Sequence, residues 1–243
     1  MAAQVDGGIR GGSVLAAIAV RAQGDRMQIA IALYPELTAL DFVGPYAVLA
    51  NVPDVEIVVC AERKGLLPDD NGHLVFDITH TFDDVPEPDI LLVPGGIITR
   101  KIARDREPIV DWIKAAHEHT TWTTSVCTGS LLLGAAGLLE GKTATTHWCS
   151  YDALAGYGAT PTEQRVVRDG KIMTAAGVSS GIDLALTLVD EIAGPEVAQA
   201  IQLSIEYDPQ PPFDAGAPSK APGPIKELVS AIITGKEAAI LAG

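Results

Sequence analysis

Residues 122–130 read Trp122-Thr-Thr-Ser-Val126-Cys127-Thr128-Gly129-Ser130, and an apolar stretch from Leu131 to Leu139 follows at once. A short β-type run breaks and a helix begins with no intervening loop. A strand that feeds straight into a helix is the repeating step of an α/β sheet. The thiol of Cys127 stands at that bend, beside backbone N–H groups left unpaired at the positive end of the helix. Such a setting favours thiolate, the form that attacks electrophiles. The competing reading is a buried cysteine that only packs.

The same step recurs outward from this point. Gln28 to Tyr34 is almost wholly apolar, as in a strand covered on both faces, and Pro35-Glu36 ends it. Asp41 is expected to open a helix through Ala50, with Pro45 in its first turn, where proline is tolerated. Val55–Ala61 reads as a second strand, and Leu74–Thr81 alternates like an exposed hairpin element. Asp89–Val93 is a further buried strand, stopped by Pro94-Gly95-Gly96. Residues 107–118 and 129–139 have helical spacing, and Thr143–His147 is strand-like. Asp169-Gly170 supplies the turn of a hairpin between Arg165–Arg168 and Lys171–Thr174. Helices are expected over 181–193 and 195–205, an irregular Pro/Gly/Ala-rich segment over 208–224, and a last amphipathic helix over 224–242. The alternation indicates a doubly wound α/β fold with a mostly parallel sheet, in which ligands bind beyond the carboxyl ends of the strands. Asp41, Gly95-Gly96 and Cys127 all fall at such ends.

Bulk properties narrow the function. With 243 residues and 47% hydrophobic content the chain supports one sizeable core. Seventeen basic against 31 acidic residues give a net charge of −14, which repels phosphate backbones and argues against nucleic acid as a partner. Three cysteines, Cys60, Cys127 and Cys149, show no metal-ligand spacing and imply no disulfide framework, so a reducing cytoplasm is expected. No stretch approaches the ~20 apolar residues of a membrane span. Residues 1–26 carry Arg10 before a short apolar run, which admits a secretory leader. The preferred reading is an extension ahead of Met27, expected to be disordered. The domain proper is then 27–205, with 206–243 an irregular segment and a C-terminal helix packing on the same domain.

Each candidate residue has an ordinary counterpart. Asp41 before a helix reads as an N-cap. Gly95 and Gly96 read as a tight turn, yet their amides, with that of Thr128, could stabilise a developing anion. His147 could serve the thiol as a base, though a lone histidine at a strand end is commonly structural. Cys60 and Cys149 read as packing residues, and Asp183 as the first turn of a helix. No GxGxxG, GxxxxGK[ST] or GxSxG motif is present, which argues against dinucleotide, P-loop and serine-hydrolase chemistry.

Taken together, Leu40-Asp41-Phe42-Val43-Gly44-Pro45, Val93-Pro94-Gly95-Gly96, the run from Ser125 to Trp148 and the run from Val166 to Leu186 resemble the DJ-1/PfpI superfamily over about residues 27 to 205. Within it, Ser125–Ser130, Ala144–Trp148 and the tail Ile205–Phe213 with Gly216 and Pro218 are similar to the isonitrile (isocyanide) hydratases. The resemblance implies a flavodoxin-like three-layer sandwich, a homodimer and no cofactor or metal. It carries the nucleophile onto Cys127 and an acidic partner onto Asp41, overriding the cap reading, and it also matches Thr128. Many peptidase-like relatives have histidine where Thr128 stands, which speaks against proteolysis. DJ-1 has glutamate where Asp41 stands, so the shorter acid points toward the hydratase type.

The activity so implied is addition of water to a small isocyanide, giving an N-substituted formamide. Cys127 thiolate would add to the terminal carbon, and Asp41, its pKa raised by burial, would deliver a proton to give a thioimidate that water resolves. Two alternatives stay open at this point: a glyoxalase- or deglycase-like enzyme using the same thiol, and a redox sensor. AraC-type regulators share the domain but carry a helix-turn-helix module after it, and the residues after Ile205 do not read as one.

Overall fold

The computed structural model describes residues 26–242. The extension expected over 1–26 lies, apart from Arg26, outside them. In chain order the elements are β1 (Met27–Ala32), α1 (Ala39–Leu49), β2 (Val55–Ala61), β3 (Gly65–Pro68), β4 (Val75–Ile78), β5 (His80–Thr81) and β6 (Ile90–Val93). Then come α2 (Thr99–Asp105), α3 (Pro108–His119), β7 (Trp122–Val126), α4 (Gly129–Ala135), β8 (Thr143–Ala144), α5 (Tyr151–Gly156) and β9 (Thr160–Pro161). β10 (Val166–Asp169), β11 (Ile172–Ala175), α6 (Ser180–Ala193), α7 (Pro195–Ser204) and α8 (Gly223–Ala242) complete the chain.

Seven strands form the main sheet in the order β10-β11-β7-β6-β1-β2-β5. All neighbours run parallel except β10 and β11, the hairpin turned by Asp169-Gly170. β1 lies between β2 and β6, so the chain winds outward from it in both directions. That reversal leaves a crevice at the carboxyl ends of β1, β6 and β7. The central strands are covered on both faces, and Ile29–Leu33 and Ile90–Val93 have no exposed surface. Each isoleucine, leucine or valine among them contributes about 1.5–3 kcal/mol of burial free energy. Helices α1, α6 and α7 pack on one another, as α4 does with α2 and α3, and the two groups sandwich the sheet in a flavodoxin-like α/β arrangement.

Several boundaries differ from expectation for identifiable reasons. α1 starts two residues before Asp41, which sits in the first turn behind Thr38, and Pro45 lies in the helix interior. Thr38 N–H donates to Gly95 O (2.9 Å), which fixes the start of α1 against the loop after β6. The 74–81 stretch is two elements. Val75–Ile78 pairs antiparallel with β3 as the expected hairpin element, whereas His80–Thr81 is the parallel edge strand beside Cys60 and Ala61. Helix α2 likewise has no counterpart in the sequence pattern. α4 stops at Ala135, and the chain turns at Gly137, whose φ is +80°. The strand expected over 143–147 ends at Ala144, because side-chain hydroxyls take over the pairing. Thr145 N–H donates to Thr174 Oγ1 (2.9 Å) and Thr146 Oγ1 to Cys127 O (3.1 Å).

Candidate active site

Cys127 follows the last residue of β7 with φ of +55°, the left-handed region that costs a non-glycine residue of order 1–3 kcal/mol. Its backbone is held there from both sides. The N–H donates to Ala175 O (3.1 Å) and Ala176 O (2.9 Å), and the carbonyl accepts from Ser130 Oγ and Thr146 Oγ1, each at 3.1 Å. The strain is therefore over-determined by β11, α4 and the segment after β8, and it turns the sulfur away from the sheet. The residue is buried, with 6% of its surface exposed.

Asp41 comes from α1 and has no exposed surface. Its Oδ2 accepts from Gly95 N–H at 2.9 Å, while Oδ1 is buried with no hydrogen-bond partner among the described residues. The Cys127 thiol is the neighbour of that carboxyl, and each group shifts the other. Burial pushes the carboxyl up to about 7, against the opposing pull of the Gly95 N–H and the thiol, and Asp70 adds to the rise.

The sulfur behaves differently from the sequence expectation of a thiolate-favouring bend. Burial and the Asp41 carboxylate hold the thiol well above its ordinary range, although Val178 N–H, Thr128 N–H and Thr128 Oγ1 face it and favour the anion. Three donors do not offset full desolvation next to a like charge. Above about pH 7 the pair therefore holds one proton, on sulfur, with Asp41 ionised beside it, and below 7 Asp41 is protonated as well.

The Gly95 and Gly96 amides, expected to be free for an anion, both have partners. Gly95 N–H is spent on Asp41, and Gly96 N–H donates to Thr128 Oγ1 (3.0 Å), which in turn donates to Gly96 O (2.9 Å). These glycines position the acid and Thr128. A Cβ on Gly95 would lie 2.6 Å from Thr128 N, 2.7 Å from Asp41 Oδ2 and 2.8 Å from Cys127 Cβ, so only hydrogen fits where the three meet. His147 lines the same cavity, but its Nδ1 accepts from Cys149 N–H (3.3 Å) and no hydrogen bond joins it to Cys127. Burial lowers its pKa, so the ring is neutral at neutral pH. Cys60 is buried within β2, and Asp183 sits in the first turn of α6, bound to Arg165.

Cys127 lines a cavity of about 560 Å³ together with the apolar Ile97, Val178 and Ile233 and the charged Glu36, Asp70, Lys236 and Glu237. Val178 is the residue the sequence does not single out. It acts through its backbone N–H, and a backbone donor has no residue-type signature. Among the described residues no cluster of His, Cys, Asp or Glu could hold a metal ion, and no helix is long and apolar enough to cross a membrane.

The DJ-1/PfpI family pattern matches residues 27–191, which span Asp41, Gly95, Gly96, Cys127, Thr128, His147 and Val178. The chain belongs to the DJ-1/PfpI family. It is 46% identical to an isonitrile hydratase of Pseudomonas putida over 200 residues, covering 82% of this chain and 86% of that one. A crystal structure of a ThiJ/PfpI family protein from Pseudomonas syringae superposes with a TM-score of 0.82 at 40% identity, covering 89% of this chain and 90% of the other. A more distant relative is the HTH-type transcriptional regulator CdhR of Pseudomonas aeruginosa. It is 34% identical over 121 residues, which is 49% of this chain and 35% of the regulator.

Proposed function

We propose that the chain is an isonitrile hydratase, a cofactor-independent hydro-lyase that adds water to an isocyanide and releases an N-substituted formamide. The observation that carries this reading is the Cys127 thiol set beside the fully buried Asp41 carboxyl, with a cavity in front of the sulfur that has Ile97, Val178 and Ile233 in its lining. The 46% identical isonitrile hydratase supports the substrate class.

An isocyanide, R–N≡C, needs a nucleophile and a proton at the same carbon. Asp41 takes the thiol proton as the sulfur attacks, so an S–C bond forms without a free thiolate in the resting state. The carboxyl then returns that proton to the carbon, giving the thioimidate R–N=CH–S–Cys127. Water adds to this carbon while the nitrogen is protonated, the C–S bond breaks, and its electron pair returns to sulfur with the hydroxyl proton. One water is consumed, the formamide leaves, and no redox change occurs. A raised thiol pKa suits this scheme, because the proton that must reach carbon is retained by the pair. Thr128 holds Gly96 and faces the sulfur, which places it to orient both nucleophile and water.

The two alternatives weigh less. A peroxide sensor needs a low-pKa thiol, whereas burial and the Asp41 carboxylate push the Cys127 thiol up. A dicarbonyl enzyme of the deglycase kind would need donors for an oxyanion; the Gly95 and Gly96 amides are occupied, which leaves it the Thr128 and Val178 amides that already face the sulfur. The regulator resembles this chain over only 35% of its own length. As part of the same reading we place the enzyme in the cytoplasm as a homodimer, free of nucleic acid. Light scattering should then give twice the 25.4 kDa chain mass.

The test is turnover of a panel of alkyl and aryl isocyanides with the products identified as formamides, parallel assays with methylglyoxal, and the same assays on two variants. Cys127→Ala is expected to abolish turnover and Asp41→Asn to reduce it at least a hundredfold. Wild-type-like rates in either variant would remove that residue from the mechanism.

A further inference from the structure

Helix α8 is unusual for its size. It is 20 residues long, yet none of its residues is buried. It nevertheless lies across the Cys127 cavity, where Ile232, Ile233, Lys236 and Ile240 line the space opposite Ile97 and Val178. Positions 233, 236 and 240 fall three and four apart, so they share one helical face. The helix is tied down at its far end by polar contacts to α2. Arg100 Nε pairs with Glu237 Oε1 at 2.8 Å, an ion pair whose side chains are 25% and 11% exposed, and Arg104 Nη1 donates to Leu241 O at 2.8 Å. Arg100 also reaches Ser150 Oγ (3.1 Å) in the turn that follows His147. The irregular stretch 205–222 separates α8 from the rest of the fold.

We infer that α8 is the substrate-selecting wall of the site. Cys127, Asp41 and Thr128 handle the isocyano carbon, and Ile233 and Ile240 pack the substituent on its nitrogen. The chemistry of this wall names the preferred class. Three isoleucines facing Ile97 and Val178 select an uncharged, aliphatic R group larger than methyl. A carboxylate on R would meet Glu36, Asp70 and Glu237 in the lining, against Lys236 as the one Lys or Arg there. A substituent that fills an apolar pocket gains roughly 10–200-fold in specificity per methylene-sized group. The choice of isocyanide rests on the function proposed above, whereas the wall itself does not.

The experiment compares n-pentyl with methyl isocyanide in the full chain and in Ile233→Trp and Ile240→Trp, with folding checked by circular dichroism. The pentyl-to-methyl ratio of kcat/KM is expected to fall at least tenfold in each variant, chiefly through KM. Ile240→Ala, which introduces no clash, should raise the ratio of 1-adamantyl to n-pentyl isocyanide at least threefold. A second measurement keeps the wall separable from the isocyanide reading. Alkylation of Cys127 by iodoacetamide and by N-benzyliodoacetamide, followed by peptide mass spectrometry, should show the benzyl-to-parent rate ratio falling at least fivefold in the Trp variants. If no isocyanide is turned over but this alkylation ratio moves, the function fails and the wall stands. Ratios within twofold of the parent protein in all three variants overturn the inference.

Discussion

At the scale of the residue, one proton shared by Cys127 and Asp41 governs activity. The productive state holds the thiol protonated and Asp41 ionised. Asp41 titrates at about 7, so below that pH the pair gains a second proton and loses its base. The kcat/KM profile for an isocyanide is therefore expected to fall about tenfold per pH unit on the acid side of 7, because this ratio reports groups of the free enzyme. No basic-side loss should appear near neutrality, since the thiol ionises far higher. Asp41→Asn should abolish the acid limb along with most of the rate, and a limb that persists in the variant would assign it to another group. The nucleophile is legible in sequence because a β-run, a cysteine and an apolar helix abut without a loop. Asp41 is half legible: its place before Pro45 reads as a cap, and only the resemblance separates acid from cap. The state of the thiol is not legible. It depends on complete burial beside a carboxylate 86 positions earlier in the chain, and the sequence shows only the local bend.

At the scale of the element, the site depends on α1 and α6 meeting closely at the end of β7. A Cβ on Gly181 would lie 2.9 Å from Pro45 Cγ and 3.1 Å from each Val126 methyl. Replacing a mid-helix glycine with alanine normally stabilises by ~0.5–1 kcal/mol, and Gly181, the second residue of α6, stands to gain no more than that. At Gly181 overpacking should win, costing about 1–3 kcal/mol, and the displaced α6 carries Val178 with it. Gly235 in α8 is the internal control, since nothing lies within 4 Å of its added Cβ. Thermal unfolding should thus show Gly181→Ala melting several degrees lower and Gly235→Ala slightly higher. The two shifts having the same sign would contradict this packing. The strands of the main sheet are readable because buried β-branched and leucine runs have few other uses. Elements whose pairing is non-local are not. β3 finds its partner only through β4, and residues 145–147 leave the strand form because Thr174 and Cys127 offer hydrogen bonds from elsewhere in the chain.

At the scale of the molecule, a buried acid kept for chemistry should leave a mark on stability. Asp41 has a folded pKa of about 7 against an ordinary 3.8. Between those values the native state binds more protons than the unfolded chain, so the Asp41 contribution to stability falls as pH rises across that window and is level above it. A tenfold change in proton affinity is ~1.4 kcal/mol, so the full effect is on the order of 4 kcal/mol. Other carboxylates act in the opposite sense. The Thr81 N–H and Lys64 hold Asp84 down to about 2, and Arg104 and Lys101 do the same for Asp105. Their contribution is present above the ordinary carboxylate range and fades as pH drops toward 2. The repulsion among 31 acidic residues also grows with pH. Both effects are common to the parent chain and to Asp41→Asn, so the difference between the two proteins isolates the buried acid. The amide has no charge to desolvate, and its oxygen can still accept from Gly95 N–H. Urea unfolding at pH 4, 5.5, 7 and 8.5 should therefore show Asp41→Asn gaining on the parent by a few kcal/mol between pH 4 and 7 and holding that lead at 8.5. A difference that stays flat with pH would mean that the Asp41 carboxyl is hydrated in the native protein, and the shared-proton pair would fall with it.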